Sequence, residues 1–158
     1  EEIAILARRN SDIKDIEYRL LMRKIPMRYF NYLTQEDISE LRKAEARTST
    51  TKKVRALLPI FKTTDNVINF IESNSESKSF VTSIHKSKGR EFPVCVVVNS
   101  LSPELMEHNK LNGLPDEIKN KLSFDLLLDD DDNFEAKNIH YVAISRPKDE
   151  LFYMVLNI

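Results

Sequence analysis

Glycine is nearly missing from this chain: two of 158 residues, Gly89 and Gly113. A phosphate-cradling P-loop needs two glycines separated by four residues and then Lys followed by Ser or Thr. That loop is therefore excluded, and with it a free-standing phosphate-binding protein built on glycine-rich turns. Cysteine occurs once, at Cys95 inside an apolar run, so no intrachain disulfide can form and a buried thiol in a reducing cytoplasm is expected. Val94 and Val96 flank it, which is not the electropositive, accessible setting of a catalytic thiol. The three histidines, His85, His108 and His140, stand too far apart for metal-ligand spacing. No apolar stretch approaches the roughly 18 residues of a membrane span, and no signal-peptide pattern opens the chain. Net charge is −1, so attraction to nucleic acid has to come from a local patch.

What remains is ordinary for a globular α/β domain: 41% hydrophobic and 31% charged residues. The chain begins at "EEIAIL" without Met, as a segment of a longer polypeptide would. "IAILA" (3–7) predicts a buried strand, and Ile13, Ile16 and Leu20 predict a helix capped by Asn10 or Ser11 and ended by Pro26. "MRYF" (27–30) predicts a second strand, giving the strand–helix–strand unit of a parallel sheet. Residues 34–73 read as helices, opened by a capping box of Thr34 with Asp37 and broken near Pro59. The cations Arg42, Lys43, Arg47, Lys52, Lys53 and Arg55 form either a basic stripe or a solvated helical face.

"FVTSI" (80–84) and "VCVVV" (94–98) do not alternate polar with apolar, as expected of central strands covered on both faces. A strand or helix piece over 124–128 follows. "DDDD" (129–132) favours the start of a helix over 134–146 through its dipole, with Phe134, Ile139, Val142 and Ala143 inward. Pro147 is expected to stop that helix, and "LFYMVL" (151–156) to form the last strand. The prediction is one three-layer α/β domain over residues 1–158 with a central, mostly parallel sheet.

Ionisable residues gather in "LARRN" (6–10), "SIHKSKGREF" (83–92) and "YVAISRPKDEL" (141–151). Strand ends in parallel sheets collect ligands at one rim. Arg8, Arg9, His85, Lys86, Lys88 and Glu91 are expected there, with Arg146 beside them. Paired guanidinium forks suit an anionic ligand. Gly89 supplies either a positive φ or room for close approach.

At these residues the chain resembles the second, C-terminal RecA-like motor domain of UvrD/Rep/PcrA-type superfamily 1 DNA helicases. "IAILARRNSDIKDIEYRLLMRKIPMRYF" resembles that family's motif IV segment. "TSIHKSKGREFPVCVVV" resembles motif V, T-x-H-x-x-K-G-x-E-F-P before an apolar strand, and "NIHYVAISRPKDELFYMV" resembles motif VI. The resemblance implies a RecA-like domain without its own P-loop, which shares an ATP site with an N-terminal motor domain of the same polypeptide. That partner would supply the P-loop and the Mg²⁺-binding carboxylate. It further implies Arg8 and Arg146 as arginine fingers on the γ-phosphate, and Glu91 at the ribose, with Lys88 and Gly89 in the nucleotide site. Thr82, His85 and Lys86 would meet single-stranded or partly duplex DNA, and Thr82, His85 and Lys88 would couple the two sites. Departures from the pattern are Ala7 for an adenine-stacking aromatic, Ser145 for Thr, Pro147 for Ala and Arg90 for Leu. Between 31 and 79 only short helices stand where that family carries an inserted accessory domain. A helicase-like binding module without ATPase activity is the alternative.

Overall fold

A computed structural model describes residues 2–98, 142 and 145–154. Strand β1 (Ile3–Ala7) leads into helix α1 (Asn10–Met22), followed by α2 (Gln35–Arg42), α3 (Thr48–Phe61) and α4 (Thr64–Ser73). Strand β2 (Phe80–Ser83), a 3₁₀ turn (His85–Ser87), strand β3 (Phe92–Val98) and strand β4 (Pro147–Met154) complete the described elements. The four strands form one all-parallel sheet in the order β2-β1-β3-β4. The α/β, RecA-like architecture expected from the sequence is what the chain adopts. The readings at 124–128, 129–132 and most of 134–146 lie outside the described residues.

Each face of the sheet has its own core. On one, Ala7, Val81 and Val98 meet Ile13, Ile16 and Leu21 of α1, Val54, Leu57 and Phe61 of α3, and Val67, Ile68 and Ile71 of α4. On the other, Ala4, Leu6, Phe80, Ile84, Phe92, Cys95 and Val97 pack together, with Phe30 and Val142 against them. This follows from strand period two: Ile5 and Ala7 face one layer, Ala4 and Leu6 the other. Each Leu, Ile or Phe buried this way contributes about 1.5–3 kcal/mol.

Several local expectations are corrected. The N-cap of α1 is Arg9, extended at φ −105° and without a side-chain cap; Asn10 and Ser11 already lie in the helix. The helix stops well before Pro26. Arg23 caps it, Lys24 turns left-handed at φ 51°, and Ile25 N–H reaches back to the Leu20 carbonyl in a Schellman arrangement. Helix α2 ends in the same way with Ala44 at φ 56° and Glu45 N–H on the Glu40 carbonyl. In a chain so poor in glycine, Lys and Ala carry these left-handed positions. The predicted strand at 27–30 reduces to a single bridge, Arg28 to Phe80, because Tyr29 and Met27 turn into the helical core. Pro59 does not break α3; it sits in the last turn, and the helix runs to Phe61. Strand β2 is buried throughout but, among the described residues, lies at the end of the strand order with only the Arg28 bridge on its outer side. Strand β3 starts at Phe92, before the predicted 94, and Pro147 opens β4 rather than merely ending a helix. A first strand residue tolerates the missing N–H. The capping box of Thr34 with Asp37 forms as expected: Asp37 N–H donates to Thr34 Oγ1 (3.1 Å) and Thr34 N–H to Asp37 Oδ2 (3.0 Å).

Candidate functional site

The connection from β2 to β3 is the densest part of the site. Its strands are parallel with β1 between them, yet 84–91 contains no α-helix. Crossovers of this kind usually need a dozen or more residues, so this one is tightly built. Ile84 N–H anchors it to the Ala7 carbonyl (2.9 Å). Ser83 Oγ accepts from Lys86 N–H (3.1 Å), and the buried Ser87 hydroxyl donates to the Ile84 carbonyl. Then Arg90 N–H donates to the Ser87 carbonyl (3.0 Å) across Lys88, at φ −55° and ψ 132°, and Gly89, at φ 76°. Those angles describe a type II turn, whose third residue needs positive φ. A Cβ on Gly89 would meet open space, so torsion rather than close approach calls for glycine there.

The strand register divides the predicted site residues between two ends of the sheet. Ala7 pairs with Ser83, so Arg8, His85 and Lys86 emerge at the C-terminal ends of β1 and β2, beside the buried Thr82. Phe92 pairs with Pro147, so Glu91 and Arg146 stand at the opposite ends, before β3 and β4. The single rim expected from the sequence is therefore split. A five-residue strand spans about 16 Å, and Arg8 is not brought to Arg146.

Arg146 does join the bend. Its Nη1 donates to the Arg90 carbonyl (3.3 Å), Nε to the Val142 carbonyl (3.1 Å) and Nη2 to Ser145 Oγ (3.0 Å). Phe92 N–H returns a bond to the Arg146 carbonyl (2.9 Å). All three side-chain acceptors are neutral, and among the described residues no carboxylate pairs with this guanidinium. It offers five N–H donors in a rigid plane, of which two are unused among the described residues. The positive charge also reaches inward: burial pushes the Cys95 thiol up to about 11, against a smaller downward pull from Arg146. Cys95 is fully buried, as a structural thiol should be. Glu91, exposed, has only a loose ion pair with Lys148 (3.9 Å). Lys88, His85 and Lys86 are exposed, and none forms an ion pair among the described residues.

Half of the basic run at 42–55 is neutralised from within. Arg42 pairs with Glu72; Arg47 contacts Glu40 (2.9 Å) and Asp37 (3.3 Å); Lys53 contacts Asp37 (3.4 Å). Burial pushes the Asp37 carboxyl up, but the Thr34 amide, the Thr50 hydroxyl and Lys53 outweigh it and hold the group below its ordinary range. Lys43, Lys52 and Arg55 are exposed and have no such partner among the described residues.

Sequence reasoning passed over three residues. Counting back two from His85, as motif V spaces its Thr, lands on Ser83 rather than Thr82, and Ser83 is the one whose hydroxyl organises the turn. Arg28 carried no signal until its bridge to Phe80 placed it beside the bend. Glu17 lies at the inner spacing of α1, where a carboxylate is not expected, and is fully buried.

The family model for the UvrD-like helicase C-terminal domain matches residues 35–157. The chain belongs to this family. The matched range holds the whole 82–91 connection and Arg146; Arg8 precedes it. A UvrD-like C-terminal domain has the role of a helicase motor domain, a role exercised on DNA and with an N-terminal motor partner. Neither a curated protein nor a solved structure matches the chain. Among the described residues no helix is long and apolar enough to cross a membrane.

Proposed function

We propose that this chain is the C-terminal motor domain of an ATP-dependent DNA helicase or translocase, and that it closes one wall of an ATP site whose P-loop and Mg²⁺ ligands belong to an N-terminal RecA-like domain. The helices at 35–73 would then stand where relatives of this type insert an accessory domain. The observation that carries the reading is Arg146, a guanidinium fixed by three bonds to neutral acceptors, with no carboxylate partner and two donors unused among the described residues. Such a group fits a polyphosphate.

ATP with Mg²⁺ supplies the phosphoryl group and the charge that develops on its oxygens during transfer. Arg146 offers donors already aimed, so little reorganisation accompanies that charge. Its bond to the Arg90 carbonyl sets its distance from the bend. Glu91, only loosely paired with Lys148, is free to accept from ribose hydroxyls. Lys88 adds a cation at the turn, and Gly89 permits that turn.

At the other end, Thr82, His85 and Lys86 are assigned to single-stranded DNA. Arg8 joins them there in place of the finger role, since it emerges at the C-terminal end of β1. The test is Arg146→Ala in the intact polypeptide. Removing an arginine finger costs about 10³-fold or more in turnover, so DNA-stimulated ATPase should fall by that much while a cooperative thermal transition shows the domain still folded. Full turnover in this variant refutes the assignment. Absence of ATPase in the unaltered polypeptide, with and without DNA, would favour a binding module instead.

A further inference from the structure

Two arginines beside this site have no part in the reading above. The guanidinium carbon of Arg28 lies 5.7 Å from the Phe30 ring centroid and 5.0 Å from that of Phe80. That of Arg90 lies 5.3 Å from Phe80 and 5.0 Å from Phe92. The Phe80 and Phe92 rings meet edge-on at 5.7 Å, and Phe30 lies 6.4 Å from Phe80. Significant cation–π pairs occur about once per 70–80 residues, so four around one aromatic cluster mark a local concentration.

The rings cannot serve as a stacking platform for bases, because Phe80 and Phe92 are 2% and 1% exposed. They act as a floor. A guanidinium resting on a ring is held by its face and keeps its donors free in its own plane. Arg28 and Arg90 are both exposed, and neither has a carboxylate partner among the described residues. Surface arginines without function usually find an acidic neighbour or water. Among the described residues these two rest on aromatic rings with no hydrogen-bonding or ionic partner for their guanidinium groups, and the Arg90 carbonyl accepts from a third arginine, Arg146.

We infer that Arg28 and Arg90 form a polyphosphate-binding pair around Phe80, joined to Arg146 through the Arg90 carbonyl, that engages phosphate oxygens of the nucleotide that Arg146 does not take. The nucleotide is favoured over a DNA backbone by connectivity. Arg90 stands between Gly89 and Glu91, and its carbonyl accepts directly from Arg146. The residues assigned to DNA emerge at the other strand ends. This inference rests on the nucleotide-facing role proposed for Arg146, and deepens it: the site's affinity would come from stacked arginines at 28 and 90, its turnover from 146.

The test is direct binding of ATPγS and of inorganic tripolyphosphate to the intact polypeptide, by equilibrium titration. Arg90→Gln and Arg28→Gln should each weaken both ligands about tenfold, the scale of one lost charge-assisted contact. Arg90→Lys should recover part of the loss, since charge returns without the fork. Thermal unfolding of the same variants checks that the fold is retained. Unchanged nucleotide affinity overturns the inference in either of two ways. If oligo(dT) binding weakens and its salt slope drops by about 0.7 per variant, the pair belongs to the DNA track. If neither ligand responds, the arginines only cover the phenylalanines. The underlying reading fails separately: Arg146→Ala with full ATPase sinks it whatever Arg90→Gln does, whereas an inactive Arg146→Ala with normal ATPγS binding by Arg90→Gln sinks only the inference.

Discussion

Replacing Glu17 by Gln is the sharpest probe of how this fold holds itself together. The carboxylate is fully buried on the inner face of α1 and collects four donors on two oxygens. Asn31 N–H approaches Oε1 at 2.8 Å, Tyr32 N–H approaches Oε1 at 2.9 Å, Asn31 Nδ2 approaches Oε2 at 2.8 Å, and Phe30 N–H lies 3.4 Å from Oε2. Asn31 Nδ2 also donates to the Val81 carbonyl (3.1 Å), so the cluster ties α1 and the 30–32 segment to β2. Gln has nearly the same shape but replaces one acceptor oxygen with an NH₂ group. At least one buried donor is then unsatisfied, at about 1–3 kcal/mol, and bonds to a charged acceptor become neutral ones. Relief from burying a charge offsets part of this. A net loss of about 3 kcal/mol follows, or about 9 °C in Tm for a chain of this length. The assay is urea unfolding at neutral pH, with the midpoint falling and the slope unchanged. The pH dependence adds a signature. Burial raises the Glu17 pKa, against the lowering effect of its amide donors. The folded state therefore holds this proton more tightly than the unfolded one. The associated stabilisation is full below the ordinary Glu range and is lost as pH rises through the raised value. Glu17→Gln lacks that decline. A variant within about 0.5 kcal/mol of the unaltered chain, the size of a neutral surface change, would show that the four bonds are not what holds the 30–32 segment.

Asp37 should behave in the opposite sense. Its carboxyl is held below the ordinary range, so its stabilisation is present above the unfolded value and lost as pH falls through the folded one; Asp37→Asn should flatten that acid limb, as read by thermal melts across pH 2–6, roughly the span over which a paired Asp titrates. The left-handed residues are a second target. Lys24→Gly and Ala44→Gly remove a penalty of about 1–2 kcal/mol each while adding unfolded-state freedom, so each should gain about 0.5–1 kcal/mol in chemical denaturation, and a loss at either site would contradict the Schellman geometry.

The parts of this fold that could be read in advance are those fixed by short-range chemistry. β-branched runs announced β1, β2 and β3, and Thr34 with Asp37 announced the start of α2, because period and cap act within a few residues. Pro147 was legible only as a stop. Whether a Pro ends a helix or opens a strand depends on a partner 55 positions earlier, Phe92, and on the register between them. The 27–30 segment has strand composition, but Tyr29 is claimed by the helical core, and its hydroxyl donates to the Ile25 carbonyl. Composition cannot announce that competition. The division of the site was more accessible than it looked. Arg8 and His85 follow their strands, whereas Glu91 and Arg146 precede theirs, and in a parallel sheet those are opposite ends. The rule that parallel strand ends collect ligands at one rim encouraged a single site; strand direction alone argues for two.

That division gives the short connection at 84–91 its significance. A long flexible crossover would let the two ends of the sheet move independently. This one is fastened at both: Ile84 N–H to the Ala7 carbonyl beside Arg8, and the Arg90 carbonyl to the Arg146 guanidinium. Between those points the Ser83 and Ser87 hydroxyl bonds and the Arg90 N–H bond to the Ser87 carbonyl leave few free torsions. On the proposed function, a shift of Arg146 toward a phosphate would pull on the Arg90 carbonyl, and the turn would pass displacement to His85 and Lys86 rather than absorb it. Gly89 then matters for more than the turn it permits. It is the one position there with wide torsional freedom, and the bonds on either side confine that freedom to a single hinge between the two ends of the sheet.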